Sequence, residues 1–170
     1  MSDDLYLAYG SNLYPPRLRA RIGEIEFVSV CRLPGYHFAY NKVGSDGSAK
    51  ANVTAESGAL SWGVIWRIFR HAWPALDRFE GVGRGYERVG IEIDLDTDGG
   101  ALAQTYIAPD AWQSTDLVPY SWYRDLVVAG AGHWRFPGEY LSVVRDVPVR
   151  RDPDLTRHRE HELLIPPGDR

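Results

Sequence analysis

From Tyr86 to Leu95 the chain reads YERVGIEIDL, and its alternation is strict: Val89, Ile91, Ile93 and Leu95 share one face, Arg88, Glu92 and Asp94 the other. Period-two patterning belongs to a β-strand, because a helix would scatter those apolar residues around its circumference. DTDGG (96–100) then turns the chain, and residues 101–107 return as the second arm of a hairpin. A sheet is therefore required, and the rest of the chain must be arranged on it.

Residues 60–69, LSWGVIWRIF, are β-branched and aromatic and form another strand. Residues 5–9 are a short buried strand, and residues 26–40 hold at least one more, interrupted near Pro34-Gly35. Helices are inserted between them. One starts at Pro15 or Pro16 and stops by Gly23; a second occupies 71–81, with Pro74 in its first turn and Gly81 after its end. A third covers 119–130, capped by Thr115 or Asp116, and a fourth starts at Pro137. Residues 41–52, rich in Gly, Ser and Asp, read as a loop. No repeat or internal boundary interrupts residues 1–150, and the charged tail 151–170, with three prolines, is expected to be loosely packed. The order is that of an α+β domain built on a sheet or small barrel.

At 170 residues, 44% hydrophobic and 25% charged, the chain has the profile of a soluble globular protein. A formal charge of −4 argues against nucleic acid as partner. No apolar run approaches the roughly 20 residues of a membrane span, and the amino terminus has no basic region followed by an apolar one, so a cytoplasmic location is expected. The single cysteine, Cys31, excludes an internal disulfide and reads as a small buried apolar residue. Five histidines occur without metal-ligand spacing, and Gly-x-Ser-x-Gly is absent around Ser11.

Two features admit a functional reading beside the structural one. On a helical wheel of residues 72–80, Glu80 falls inside the apolar arc of Ala72, Trp73, Leu76 and Phe79, with Asp77 on its margin and Arg78 opposite. Either it is a glutamate at a frayed helix end that swings into water, or it is lodged there at the negative end of the helix, where its pKa is expected to be raised and it would exchange protons near neutrality. The second feature is Gly10-Ser11-Asn12, between a strand and a helix amino end. It is either a plain connection or a cradle of N–H groups for an anion. The glycines of GVGRG (81–85) lack phosphate-loop spacing and serve to end the helix.

YGSNL (9–13) together with LDRFEGVGRGYERV (76–89) resembles the γ-glutamylcyclotransferase family, and WGVIW (62–66), QTYIA (104–108) and PYSWYRDLVVAGA (119–131) are similar to family segments in the same order. The likeness runs over roughly residues 5 to 143 and leaves out the tail. It implies a small mixed β-barrel with flanking helices, no cofactor, and a small-molecule γ-glutamyl substrate converted to 5-oxoproline with release of an amine or amino acid. By position, Glu80 matches the catalytic glutamate. Tyr9, Gly10, Ser11, Asn12 and Leu13 match the substrate-binding loop, and Tyr106 and Tyr123 match tyrosines near the pocket. The alternatives are a same-fold enzyme acting on a γ-glutamyl pathway intermediate, and a non-catalytic protein that binds a small acid.

Overall fold

Five strands form one mixed sheet in the order β2-β3-β1-β5-β4: β1 Asp3–Ala8, β2 Ile25–Val43, β3 Ala49–Phe69, β4 Glu87–Leu95 and β5 Gly99–Ile107. The computed structural model describes residues 3–95 and 99–167, so the DTDGG turn lies largely outside the described residues. β1 pairs antiparallel with β3 and parallel with β5, which brings the carboxyl ends of β1 and β5 out on the same side. The alternating strand and its return pair as the hairpin β4–β5.

The implied barrel needs correcting. Among the described residues no ladder joins β2 to β4, and the sheet is open. Its curvature comes from the long β2–β3 hairpin, whose register shifts near Val28, Gly35 and Asn41 add local twist and bend. The loop expected at 41–52 also shrinks to residues 44–48. Lys42 and Asn52 are buried strand residues instead. Asn52 has no exposed surface, and its Oδ1 accepts from the Ala108 N–H at 2.9 Å.

Helix α1 (Pro15–Ile22) and helix α2 (Trp73–Glu80) carry proline in their first turn and stop at glycines with positive φ. Helix α3 (Ser121–His133) starts after Tyr120 with no side-chain cap, so Thr115 and Asp116 do not cap it. The first N–H of α3 is satisfied by the Arg150 carbonyl at 2.9 Å. Helix α4 (Gly138–Arg145) follows Pro137, and its Tyr140 ring meets Phe38 of β2 edge-on.

The described part of the tail, residues 151–167, is packed rather than loose. Residues Leu155–Glu162 form helix α5, capped by the Asp154 carboxylate on the N–H groups of Thr156 and Arg157. Asp152, fully buried, accepts from Trp122 Nε1 of α3 at 2.8 Å and pairs with Arg157 at 2.6 Å, and Ile165 is buried beyond. Charge there turns inward to meet a partner, which composition does not reveal. No described helix is long and apolar enough to cross a membrane.

Candidate active site

Because β1 and β5 run parallel, the segment after Ala8 and the segment around Tyr106 meet at one end of the sheet, where the two interior strands finish. After Gly10 the chain makes a 3-10 turn over Ser11–Leu13, closed by Leu13 N–H donating to the Gly10 carbonyl at 3.0 Å. The turn does not use the N–H groups of Ser11 and Asn12. Helix α3 holds the turn down from above. A Cβ on Gly130 would sit 2.5 Å from Leu13 Cβ and 2.8 Å from the Tyr14 nitrogen, so only glycine permits this approach.

Glu80 is the last residue of α2. Gly81, at φ 70°, stops the helix, and the Gly81 and Val82 N–H groups both donate to the Asp77 carbonyl, at 2.9 and 3.0 Å. The Glu80 side chain keeps only 14% of its surface exposed, so it points inward as the wheel required. Its Oε1 accepts from Asn12 Nδ2 at 2.9 Å and from Arg21 Nη1 at 2.6 Å. Arg21 Nη1 also donates to Asn12 Oδ1 at 3.0 Å, which ties α1, α2 and the turn into one polar triangle. Arg21 was absent from the wheel argument, which weighed only burial and the helix end. Phe79 corrects the wheel too: it is 55% exposed, with the Arg21 guanidinium over its ring at 5.2 Å. The buried arc is thus displaced away from Phe79 towards Glu80.

Five tyrosines line the narrow cleft in front of Glu80: Tyr6, Tyr9, Tyr86, Tyr106 and Tyr123. Their hydroxyls divide into two kinds. Tyr9 donates to the Tyr106 carbonyl, Tyr86 donates to the Ala51 carbonyl, and Tyr106 donates to Asp77 Oδ1 at 2.7 Å, where Asp77 is in turn paired with Arg88 at 3.2 Å. Tyr6 and Tyr123 only accept, from Asn12 Nδ2 at 2.8 Å and from the Ala51 N–H at 3.1 Å. Among the described residues their own protons meet no acceptor, so these two phenols can donate to a ligand. Burial raises all five above the ordinary tyrosine value, so they stay neutral.

Of the residues singled out in the sequence, Tyr9, Gly10, Ser11, Asn12, Glu80, Tyr106 and Tyr123 all border this cleft. Leu13 does not; it is fully buried against α3, and its carbonyl accepts from Trp134 Nε1 at 2.7 Å. Sequence reasoning missed Tyr6, Tyr86 and Arg21. A tyrosine in a strand is indistinguishable from core, but Arg21 had a signal: it follows Arg17 by four residues, and like charges on one helix face need partners elsewhere.

Comparison with known proteins places the fold and the family. Residues 61–144 match the AIG2-like family. Over 151 residues the chain is 30% identical to the γ-glutamylcyclotransferase of Bos taurus, a match covering 84% of this chain and 78% of the relative. The Mus musculus γ-glutamylcyclotransferase is 30% identical over 150 residues, with the same shares. A solved structure of γ-glutamyl cyclotransferase shares the fold at a TM-score of 0.77 and 22% identity, over 88% of this chain and 90% of that one. The chain belongs to the γ-glutamylcyclotransferase family.

Proposed function

We propose that this protein cyclises a γ-glutamyl amide to 5-oxoproline and releases the amine, with Glu80 as general base and then general acid. The substrate carries its own nucleophile. Its α-amine attacks the γ-carbonyl carbon, a carbon–nitrogen bond closes the five-membered ring, and the bond to the departing nitrogen breaks. The protein must fold the substrate into attacking geometry, take a proton from the α-ammonium and deliver one to the leaving nitrogen. Glu80 is suited to both proton transfers, which follow one another at neighbouring nitrogens.

In this reading Tyr9, Gly10, Ser11 and Asn12 form the floor of the glutamyl site. The N–H groups of Ser11 and Asn12 hold the α-carboxylate or the oxyanion that develops on the carbonyl. Tyr6 and Tyr123 supply the remaining donors. Tyr106 acts through its ring and backbone, since its hydroxyl proton is given to Asp77. Arg21 is a positioning residue that fixes the Glu80 carboxylate against Asn12. A cytoplasmic setting is in keeping with the lone thiol of Cys31, which burial pushes up to about 11.

The supporting observation is the 2.9 Å contact between Asn12 and Glu80: the anion-cradle turn and the inward carboxylate, separated by 68 residues of chain, close on one cleft. The test is to incubate the protein with γ-glutamyl dipeptides, γ-glutamylamines and glutathione and to measure 5-oxoproline. Release from at least one of them is expected. Binding of these compounds without any release would contradict the reading.

A further inference from the structure

Beyond Glu80 the cleft opens into a second, wider basin that shares Ser11, Glu80, Tyr86 and Tyr123 with it. The basin is strongly cationic. Three of its cations are matched: Arg21 by Glu80 at 2.6 Å, Lys50 by Asp46 at 2.7 Å, and Arg157 by Asp152 at 2.6 Å. Arg17 and Lys42 are not. Among the described residues neither has a carboxylate within ion-pair distance, yet they are only 9% and 7% exposed. Arg17 Nη1 donates to His161 Nδ1 at 3.0 Å, while its Nε is buried without a partner. Lys42 Nζ lies 4.6 Å from the centre of the Tyr86 ring.

A guanidinium can only donate, so His161 Nδ1 accepts and the ring is neutral. Burial, with Arg17 next, pushes His161 down to about 4, in agreement. It cannot compensate Arg17. Burial also pulls Arg17 down to about 9 and lowers Lys42, but at neutral pH Arg17 still carries its charge. A buried cation without a counter-ion is destabilising. Two of them facing one basin make sense for the state in which an anion is bound. The basin and the cleft share Glu80, so a γ-glutamyl unit held in the cleft would turn its leaving half, whose nitrogen Glu80 must protonate, towards the basin.

We propose that Arg17 and Lys42 form a leaving-group subsite that selects γ-glutamyl conjugates whose amine half is anionic, with a doubly negative amine such as an acidic amino acid preferred. This inference rests on the cyclotransferase reading. The test compares kcat/KM for γ-glutamyl-glutamate, γ-glutamyl-alanine and γ-glutamyl-methylamide, whose leaving halves carry two, one and no negative charges. The expected order follows that charge, with a step of about tenfold per charge, equivalent to roughly 1.4 kcal/mol each. In Lys42→Met the ratio of the glutamate to the methylamide conjugate should fall about tenfold through KM, and Lys42→Arg should restore it. Arg17→Met and Arg17→Lys should behave in the same way.

Equal kcat/KM for all three substrates would overturn the inference and leave the activity standing. Equal losses on all three in Lys42→Met would also overturn it, because the cations would then serve the glutamyl α-carboxylate. If no conjugate yields 5-oxoproline, the activity itself fails. The subsite, which is defined by the leaving half of a turned-over conjugate, then falls with it.

Discussion

Gly10 faces Ala51 and Tyr123 across the cleft, and a Cβ placed on it would lie 3.0 Å from the Ala51 Cβ and 3.5 Å from the Tyr123 hydroxyl. Its φ of −111° is not left-handed, and the constraint is the space in front of it. Gly10→Val should therefore push on the Tyr123 phenol, one of the two with a proton to give. KM is expected to rise at least tenfold, with a stability loss of about 1–3 kcal/mol from overpacking; a variant with the parent's KM would count against a close-fitting cradle. At this scale the sequence was readable where a residue broke a pattern. Glu80 was visible because a carboxylate stood in an apolar arc. Phe79 was misplaced because a guanidinium from another helix lies over its ring. Tyr6 was invisible because its hydroxyl chemistry depends on Asn12, which no periodicity places beside it.

Helix α5 shows what a pattern of elements can hide. Arg157 and Asp152 look like solvated charges in the sequence, yet the pair docks the helix on Trp122 of α3, and His161 lies over the same indole at 3.9 Å between ring centres. Burial alone would raise the Asp152 carboxyl, but hydrogen bonds from Arg157 and Trp122 outweigh it and hold the group at about 2. A folded value below the unfolded one, near 4, means that its stabilisation is complete above about pH 4 and is lost as pH falls through 2. Asp152→Asn leaves Arg157 without its main partner and should cost about 3 kcal/mol at neutral pH. Denaturant titrations from pH 6 to 2 should show the difference between variant and parent shrinking towards the acid end; a constant difference would place the stabilisation elsewhere. The misread loop at 41–52 has the same physical origin, since Lys42, Lys50 and Asn52 are polar residues with buried tasks.

Across the whole molecule, the hairpin β4–β5 was legible because its alternation is local, whereas the open edge between β2 and β4 was not, because closure depends on strands far apart in sequence. The tyrosine cluster gives the molecule a distinctive alkaline limit. Tyr6, Tyr9, Tyr86, Tyr106 and Tyr123 titrate near 10 when unfolded but are held higher by burial in the fold. Groups whose folded value is raised stabilise fully below the unfolded value, and that contribution disappears as pH climbs above it. The protein should thus unfold cooperatively above about pH 10, tyrosinate absorbance appearing together with the loss of the far-ultraviolet circular dichroism signal. Gradual ionisation with the fold intact would show that the cluster is open to water.

The most direct measurement is 5-oxoproline release by Glu80→Gln on whichever γ-glutamyl conjugate the parent protein turns over. The amide keeps the shape and still accepts from Asn12, but it cannot take the proton of the α-ammonium. Turnover is expected to fall by about two to four powers of ten while the circular dichroism spectrum stays that of the parent fold; the thermal midpoint should drop, because Arg21 loses its carboxylate partner. Release at the parent's rate would contradict a proton-transferring Glu80, and with it the mechanism.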